Sequence, residues 1–211
     1  MSGVPATGLT LYFSAASPYA RKVLALAHEA GLADQLTLIV GSGTPLDPGT
    51  TPIAANPLGK IPTLLRPDGA ALYDSRVICQ YLDARAQAGL YPENARRWDA
   101  LTLEATADGM LDAALAMVYE SRLRPEDIRF APFVEGQWTK IARSLDVIEA
   151  RWMAYLAGPL CAGQIALGCA LGYLDLRHDA RNWRATRPEL ARWDARFGAR
   201  PAMQATRPPE G

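Results

Sequence analysis

Large apolar residues alternate with others through Leu9-Thr10-Leu11-Tyr12-Phe13, the period-two pattern of a half-buried strand. Ser14-Ala15-Ala16 then leads into Ser17-Pro18, a pair suited to opening a helix. Serine caps the first turn, and proline there lacks only an N–H that would be orphaned anyway. From Pro18 onward Ala20, Val23, Leu24 and Ala27 share one helical face, Arg21, Lys22, His28 and Glu29 fall elsewhere, and Gly31 supplies a left-handed stop. His28 therefore reads as solvated surface. The apolar run Leu36 to Val40 has strand length, so strand, helix and strand predict a parallel crossover unit. Gly41 to Ala55 is rich in Gly, Pro, Thr and Ser and predicts an irregular loop of the kind that often touches ligands. Ile61 to Leu65 and Ala70 to Tyr73 flank Arg66-Pro67-Asp68-Gly69, which predicts a hairpin with Pro67 presetting the turn and Gly69 permitting positive φ. Asp74-Ser75 opens a helix with Val77, Ile78, Tyr81 and Leu82 on one face, and Gly89 ends the segment.

Beyond Leu90-Tyr91-Pro92-Glu93 the strand signals stop and the helical period takes over. A long helix from about Arg96 to Ser121 carries Leu103, Ala107, Met110, Leu111, Ala114 and Val118 on one face, with Asp108 and Asp112 neighbours at i, i+4. Two carboxylates at that spacing suit acid–base work, but without a third partner they read first as solvated or interface-lining groups. The next helix repeats Val134, Trp138, Ile141, Leu145, Ile148 and Trp152 at steps of three and four, a packing stripe whose tryptophans belong to a core. Ala162 to Leu174 is apolar on nearly every face and too short to span a bilayer, so it predicts a central buried helix. A last short helix from about Pro188 carries Leu190, Trp193 and Phe197, and a proline-rich tail follows that cannot continue it. The fold class expected is an α/β domain of βαβ-ββα order over residues 9–88, followed by an all-α domain over residues 94–211.

Lys plus Arg equals Asp plus Glu at 22 each, which removes any long-range field for nucleic acid or an anionic bilayer. The sequence shows no leader-like start and no span-length apolar run, so the expected location is the cytoplasm. Cys79, Cys161 and Cys169 form no C-x-x-C pair, which argues against a disulfide framework and against a zinc site and makes each a small buried residue.

The chain resembles the glutathione S-transferase family in Ser17-Pro18-Tyr19-Ala20-Arg21-Lys22 after the first strand, in Asn56-Pro57-Leu58-Gly59-Lys60-Ile61-Pro62, and in Asp74-Ser75. The order of these motifs within one βαβ-ββα pattern is more specific than any of them alone, and the resemblance covers residues 9 to about 208. It implies a thioredoxin-like first domain, glutathione as co-substrate, no metal, and a cis peptide before Pro62. A thiol is nucleophilic as its thiolate, with a free pKa near 8.5, and a hydroxyl donor at a helix N-terminus stabilises that anion. Ser17 is the candidate catalytic hydroxyl, with Ser14 as the alternative and Tyr12 a weaker one. The resemblance further implies that Lys60 meets a glutathione carboxylate, that Ile61 before Pro62 pairs with the peptide's own amide, and that Asp74 and Ser75 hold the γ-glutamyl end.

The expected activity is a transferase in which the activated thiol attacks a small hydrophobic electrophile. The electrophile is expected in a cleft near Tyr12, between the first domain and the helix bearing Asp108 and Asp112. Isomerisation, dehalogenation, or a non-catalytic interaction module of the same fold stand as alternatives; a serine rather than a cysteine at position 17 disfavours thiol–disulfide exchange. The resemblance also implies a homodimer and a role in detoxification. One departure stands out: where the family's central C-terminal helix opens with Ser/Thr-x-x-Asp, this chain has Cys161 and Gln164, which predicts a cap weakened on one side.

Overall fold

In the computed structural model residues 8–209 are described, and they divide into two compact units. One runs to Tyr91 and includes Gln204–Pro209; the other is Pro92–Met203. The tail 204–209, which the sequence reading gives to the helical domain, thus clusters with the first unit.

The first unit is thioredoxin-like. Its strands β1 (Leu9–Phe13), β2 (Leu36–Val40), β3 (Thr63–Arg66) and β4 (Gly69–Leu72) form one sheet in the order β2-β1-β3-β4. Strand β1 pairs with β2 in parallel through α1 (Pro18–Glu29), while β1–β3 and β3–β4 are antiparallel. Leu11, Leu26, Leu64, Ile78 and Leu82 are wholly buried and join the sheet to α1 and α2 (Ser75–Ala86). Helix α1 ends as its sequence predicts: Gly31 has φ +70° and the Leu32 N–H reaches the Ala27 carbonyl at 2.8 Å.

Several expectations are corrected here. Strand β3 starts at Thr63 and not at Ile61, because Pro62 has no N–H to give the ladder. Arg66 pairs with Gly69, which leaves Pro67-Asp68 as the hairpin tip, and Gly69 is not among the residues of positive φ. On α2, Ser75, Ile78, Cys79 and Leu82 are buried whereas Val77 is exposed, since a step of about 100° per residue carries position 77 to the flank. Gln87, at φ 52°, makes the left-handed cap ahead of Gly89.

The second unit is all helical. Helix α3 (Arg96–Leu123) packs against α4 (Ala131–Arg151) and α6 (Ala162–His178), with the short α5 (Met153–Leu156) between α4 and α6. Every residue of 162–171 is buried, as expected for a central helix, and close approach explains Gly163, whose added Cβ would lie 2.6 Å from the Ala100 carbonyl oxygen. The α4 stripe is buried at Ile141, Leu145 and Ile148 but not at its tryptophans. Trp138 and Trp152 are half-buried; Arg181 lies over the Trp138 ring at 5.2 Å and Tyr155 meets Trp152 edge-on. Core tryptophans exist elsewhere, at Trp183 and at Trp193 on α7 (Pro188–Gly198). Pro201 does not end helical structure: it opens the short α8 (Pro201–Ala205), where a proline at the first position loses no bond. All three cysteines are buried and free.

Candidate functional site

Ser17 is the N-cap of α1, in extended conformation, with its Oγ accepting the Ala20 N–H at 3.2 Å. The turn before it is closed by the Ser17 N–H donating to the Ser14 carbonyl at 3.0 Å. A half-buried hydroxyl is thereby fixed at a helix start, where the positive end of the helix dipole stabilises negative charge. Tyr12 sits in β1 between Ile39 and Thr63, half-buried.

The second motif is built around a residue to which the sequence reading gave no role. Asn56 is 1% exposed; its Nδ2 donates to the Lys60 carbonyl and to Thr63 Oγ1, each at 3.0 Å, and its Oδ1 accepts from the Leu58 N–H at 3.1 Å. Thr63 Oγ1 in turn donates to the Lys60 carbonyl at 2.8 Å. This network folds the segment so that the Ile61–Pro62 peptide, which is cis, meets the head of β3 with Ile61 outside the ladder. Gly59 has φ +58°, and a Cβ there would come within 3.1 Å of Pro48, so the loop closes only on glycine. The signal for Asn56 was its place at the start of the Asn-Pro segment. Lys60 itself is exposed.

Asp74 caps α2, with Oδ1 accepting the Arg76 N–H at 2.9 Å and Oδ2 paired with the Arg76 guanidinium at 3.2 Å. Ser75, the first residue of the helix, is 2% exposed. The structure therefore puts Ser17, Ile61–Pro62 and Asp74-Ser75 on one sheet scaffold: two helix N-termini and the start of an inner strand. Such a set presents backbone donors, a hydroxyl and a carboxylate to a peptide-like ligand with charged ends. Asp108 and Asp112 lie on α3 of the other unit, one turn apart, the first buried and the second exposed. Among the described residues no group of three or more His, Cys, Asp or Glu is arranged to hold a metal ion, and no helix is long and apolar enough to cross a membrane.

Residues 16–85 match the family model described as glutathione S-transferase, N-terminal domain, and residues 131–196 match the glutathione S-transferase C-terminal domain. The chain is 31% identical over 206 residues to the uncharacterised GST-like protein YibF of Escherichia coli (strain K12), covering 96% of this chain and 100% of that protein. A crystal structure of a glutathione transferase family member from Pseudomonas fluorescens Pf-5 with bound glutathione is 44% identical, with a TM-score of 0.93 over 96% of this chain and 100% of its own. A second structure of a family member from that organism, with bound S-(propanoic acid)-glutathione, is 43% identical with a TM-score of 0.89 over the same shares of each chain.

Proposed function

We propose that this chain, which belongs to the glutathione S-transferase family, binds glutathione on the first unit and activates its thiol at Ser17 for attack on a small electrophile. The observation that carries the reading is the joint placement of Ser17, cis Ile61–Pro62 and capped Asp74-Ser75 on one four-stranded sheet. Relatives over 40% identical hold glutathione and an S-substituted glutathione, which supports both the co-substrate and a bond formed at sulfur.

In this reading the γ-glutamyl carboxylate rests on the N–H groups that open α2, and its ammonium on Asp74. The cysteinyl amide pairs with the Ile61 backbone, and Lys60 meets the glycyl carboxylate. The thiol then lies at the start of α1. Lowering its pKa from about 8.5 by about two units needs roughly 2.7 kcal/mol of preference for the anion. One charge-assisted hydrogen bond from Ser17 together with the helix dipole is of that size. Ser17 must turn its O–H toward the sulfur while its lone pair keeps the Ala20 N–H, which a hydroxyl does without conflict. Conjugation is the expected outcome, with work as a homodimer in the cytoplasm and in detoxification. Calorimetric titration with glutathione, paired with an ultraviolet scan for thiolate, tests the reading. Saturable binding with a thiolate band at neutral pH is expected; no binding at millimolar glutathione would leave the fold as a non-catalytic interaction module.

A further inference from the structure

We propose that Asn56 is a positioning residue for glutathione: by holding the Lys60 carbonyl inward it aims the Ile61 N–H at the ligand. The inference deepens the reading above, in which the cysteinyl amide of glutathione pairs with the Ile61 backbone, and rests on it.

Every polar group of Asn56 is engaged. Its N–H donates to the Pro52 carbonyl at 2.8 Å and its carbonyl accepts the Gly59 N–H at 2.9 Å, so the backbone is tied on both sides. Its buried side-chain amide donates to the Lys60 carbonyl and to Thr63 Oγ1, while Oδ1 accepts from Leu58. An amide held at three points cannot turn over, because a flip would set its oxygen against the Lys60 carbonyl. Closing the loop does not require these side-chain bonds, since the backbone bonds to Pro52 and Gly59 already do so. What they add is the orientation of one peptide plane.

The Lys60 carbonyl is held twice, by Asn56 Nδ2 at 3.0 Å and by Thr63 Oγ1 at 2.8 Å, which occupies both of its lone pairs. Thr63 is wholly buried and opens β3 opposite Tyr12 of β1, so the hold is anchored in the inner strands of the sheet. The Lys60–Ile61 peptide is trans, and in a planar trans peptide the N–H points opposite to the C=O. Holding the Lys60 oxygen toward Asn56 and Thr63 therefore turns the Ile61 N–H away from them. No described residue accepts that N–H. The Ile61 side chain is settled separately: a Cβ on Gly41 would come within 3.3 Å of its Cγ2, so it packs against the chain that leaves β2. The backbone of Ile61 is left for a peptide ligand to pair with.

Asn56→Asp keeps the size of the side chain but sets an acceptor against the Lys60 carbonyl. Thr63→Val removes the second donor without changing charge. Each variant is first shown to be folded by urea unfolding, then read by calorimetry with glutathione and by NMR of the Ile61 amide proton. In the parent, glutathione should move that proton downfield, as a new hydrogen bond does. Asn56→Asp should raise the glutathione Kd by about tenfold and abolish the movement, and Thr63→Val should raise the Kd by about threefold. Asn94→Asp, the same change at an exposed position of the other unit, controls for the added charge and should leave both readouts at parent values. Three results overturn the inference while glutathione binding stands: a parent Ile61 amide that ignores glutathione, an Asn56→Asp variant with the parent's Kd, or one whose Ile61 amide still moves as in the parent. Should Asn56→Asp fail to fold, Thr63→Val and the parent's own amide decide the matter by the same criteria. If the parent binds no glutathione at millimolar concentration, it is the glutathione reading that falls, and the role of Asn56 with it.

Discussion

Gln164 accepts the backbone N–H of Cys161 through Oε1 at 2.7 Å and donates through Nε2 to the Leu156 carbonyl at 3.0 Å. One side of the cap on α6 is thus fully made, and the amide does a second task that an aspartate there has no donor for. The other side relies on the Cys161 thiol, a weak acceptor, which also lies 3.6 Å from the Tyr155 hydroxyl. Burial, and then that thiol, push the Tyr155 phenol above its ordinary range. Gln164→Ala should therefore lower unfolding stability by about 1–3 kcal/mol, the cost of orphaning a buried N–H. Cys161→Ser should raise it by up to about 1 kcal/mol. Urea unfolding midpoints at constant m-value check both.

Gly163→Ala should destabilise the helical unit even though alanine is the better helix former by about 1 kcal/mol. The new Cβ would meet the Ala100 carbonyl oxygen at 2.6 Å and Leu103 Cβ at 3.0 Å, so α3 and α6 must part. A loss of roughly 1–3 kcal/mol is expected from thermal or urea unfolding.

His178 packs its Nε2 against the Ala114 carbonyl at 3.0 Å and its ring edge-on to Tyr173, and burial holds its pKa below the ordinary value, with Arg181 and Arg177 adding to the effect. The folded state therefore favours the neutral ring. Below about pH 6.5 the unfolded chain takes up the proton first, so stability is fully present above that pH and declines as pH falls toward the folded-state pKa. Unfolding curves between pH 7.5 and 5 should show this decline, and His178→Gln should flatten it.

Ser17→Ala should reduce kcat by roughly 10²-fold with little change in the glutathione dissociation constant, since its bond to sulfur strengthens as the thiolate forms. The same change removes the N-cap of α1, at a cost of about 1 kcal/mol. Steady-state kinetics, calorimetry and unfolding on one preparation separate the two effects. Unchanged turnover would move the role to Ser14 or Tyr12.

Asp74→Ser keeps a capping oxygen for the Arg76 N–H but removes the charge, whereas Asp74→Ala removes both. Glutathione affinity should fall by about tenfold in each, and stability only in the alanine variant. Equal glutathione dissociation constants in the two variants and the parent would take Asp74 out of the γ-glutamyl contact.

Local signals determined much of this protein. The period-two run of β1, the Ser17-Pro18 and Asp74-Ser75 helix starts, the Gly31 stop and the all-apolar α6 were legible because each depends on neighbours within a few residues. The motifs that carry the family likeness were legible for the same reason. What only tertiary structure decided is which apolar residues found cover. Trp138 and Trp152 share the period of Ile141 and Ile148, yet lie half-open, with an arginine over the first ring and a tyrosine edge-on to the second. Asn56 became the hub of the cis-proline segment through bonds to Lys60 and Thr63. Arg207 lines one pocket with Arg21 and His28, across most of the chain's length. Periodicity states which residues seek burial, but the supply of burying surface, and the meeting of residues distant in sequence, is set only when the helices and the sheet pack.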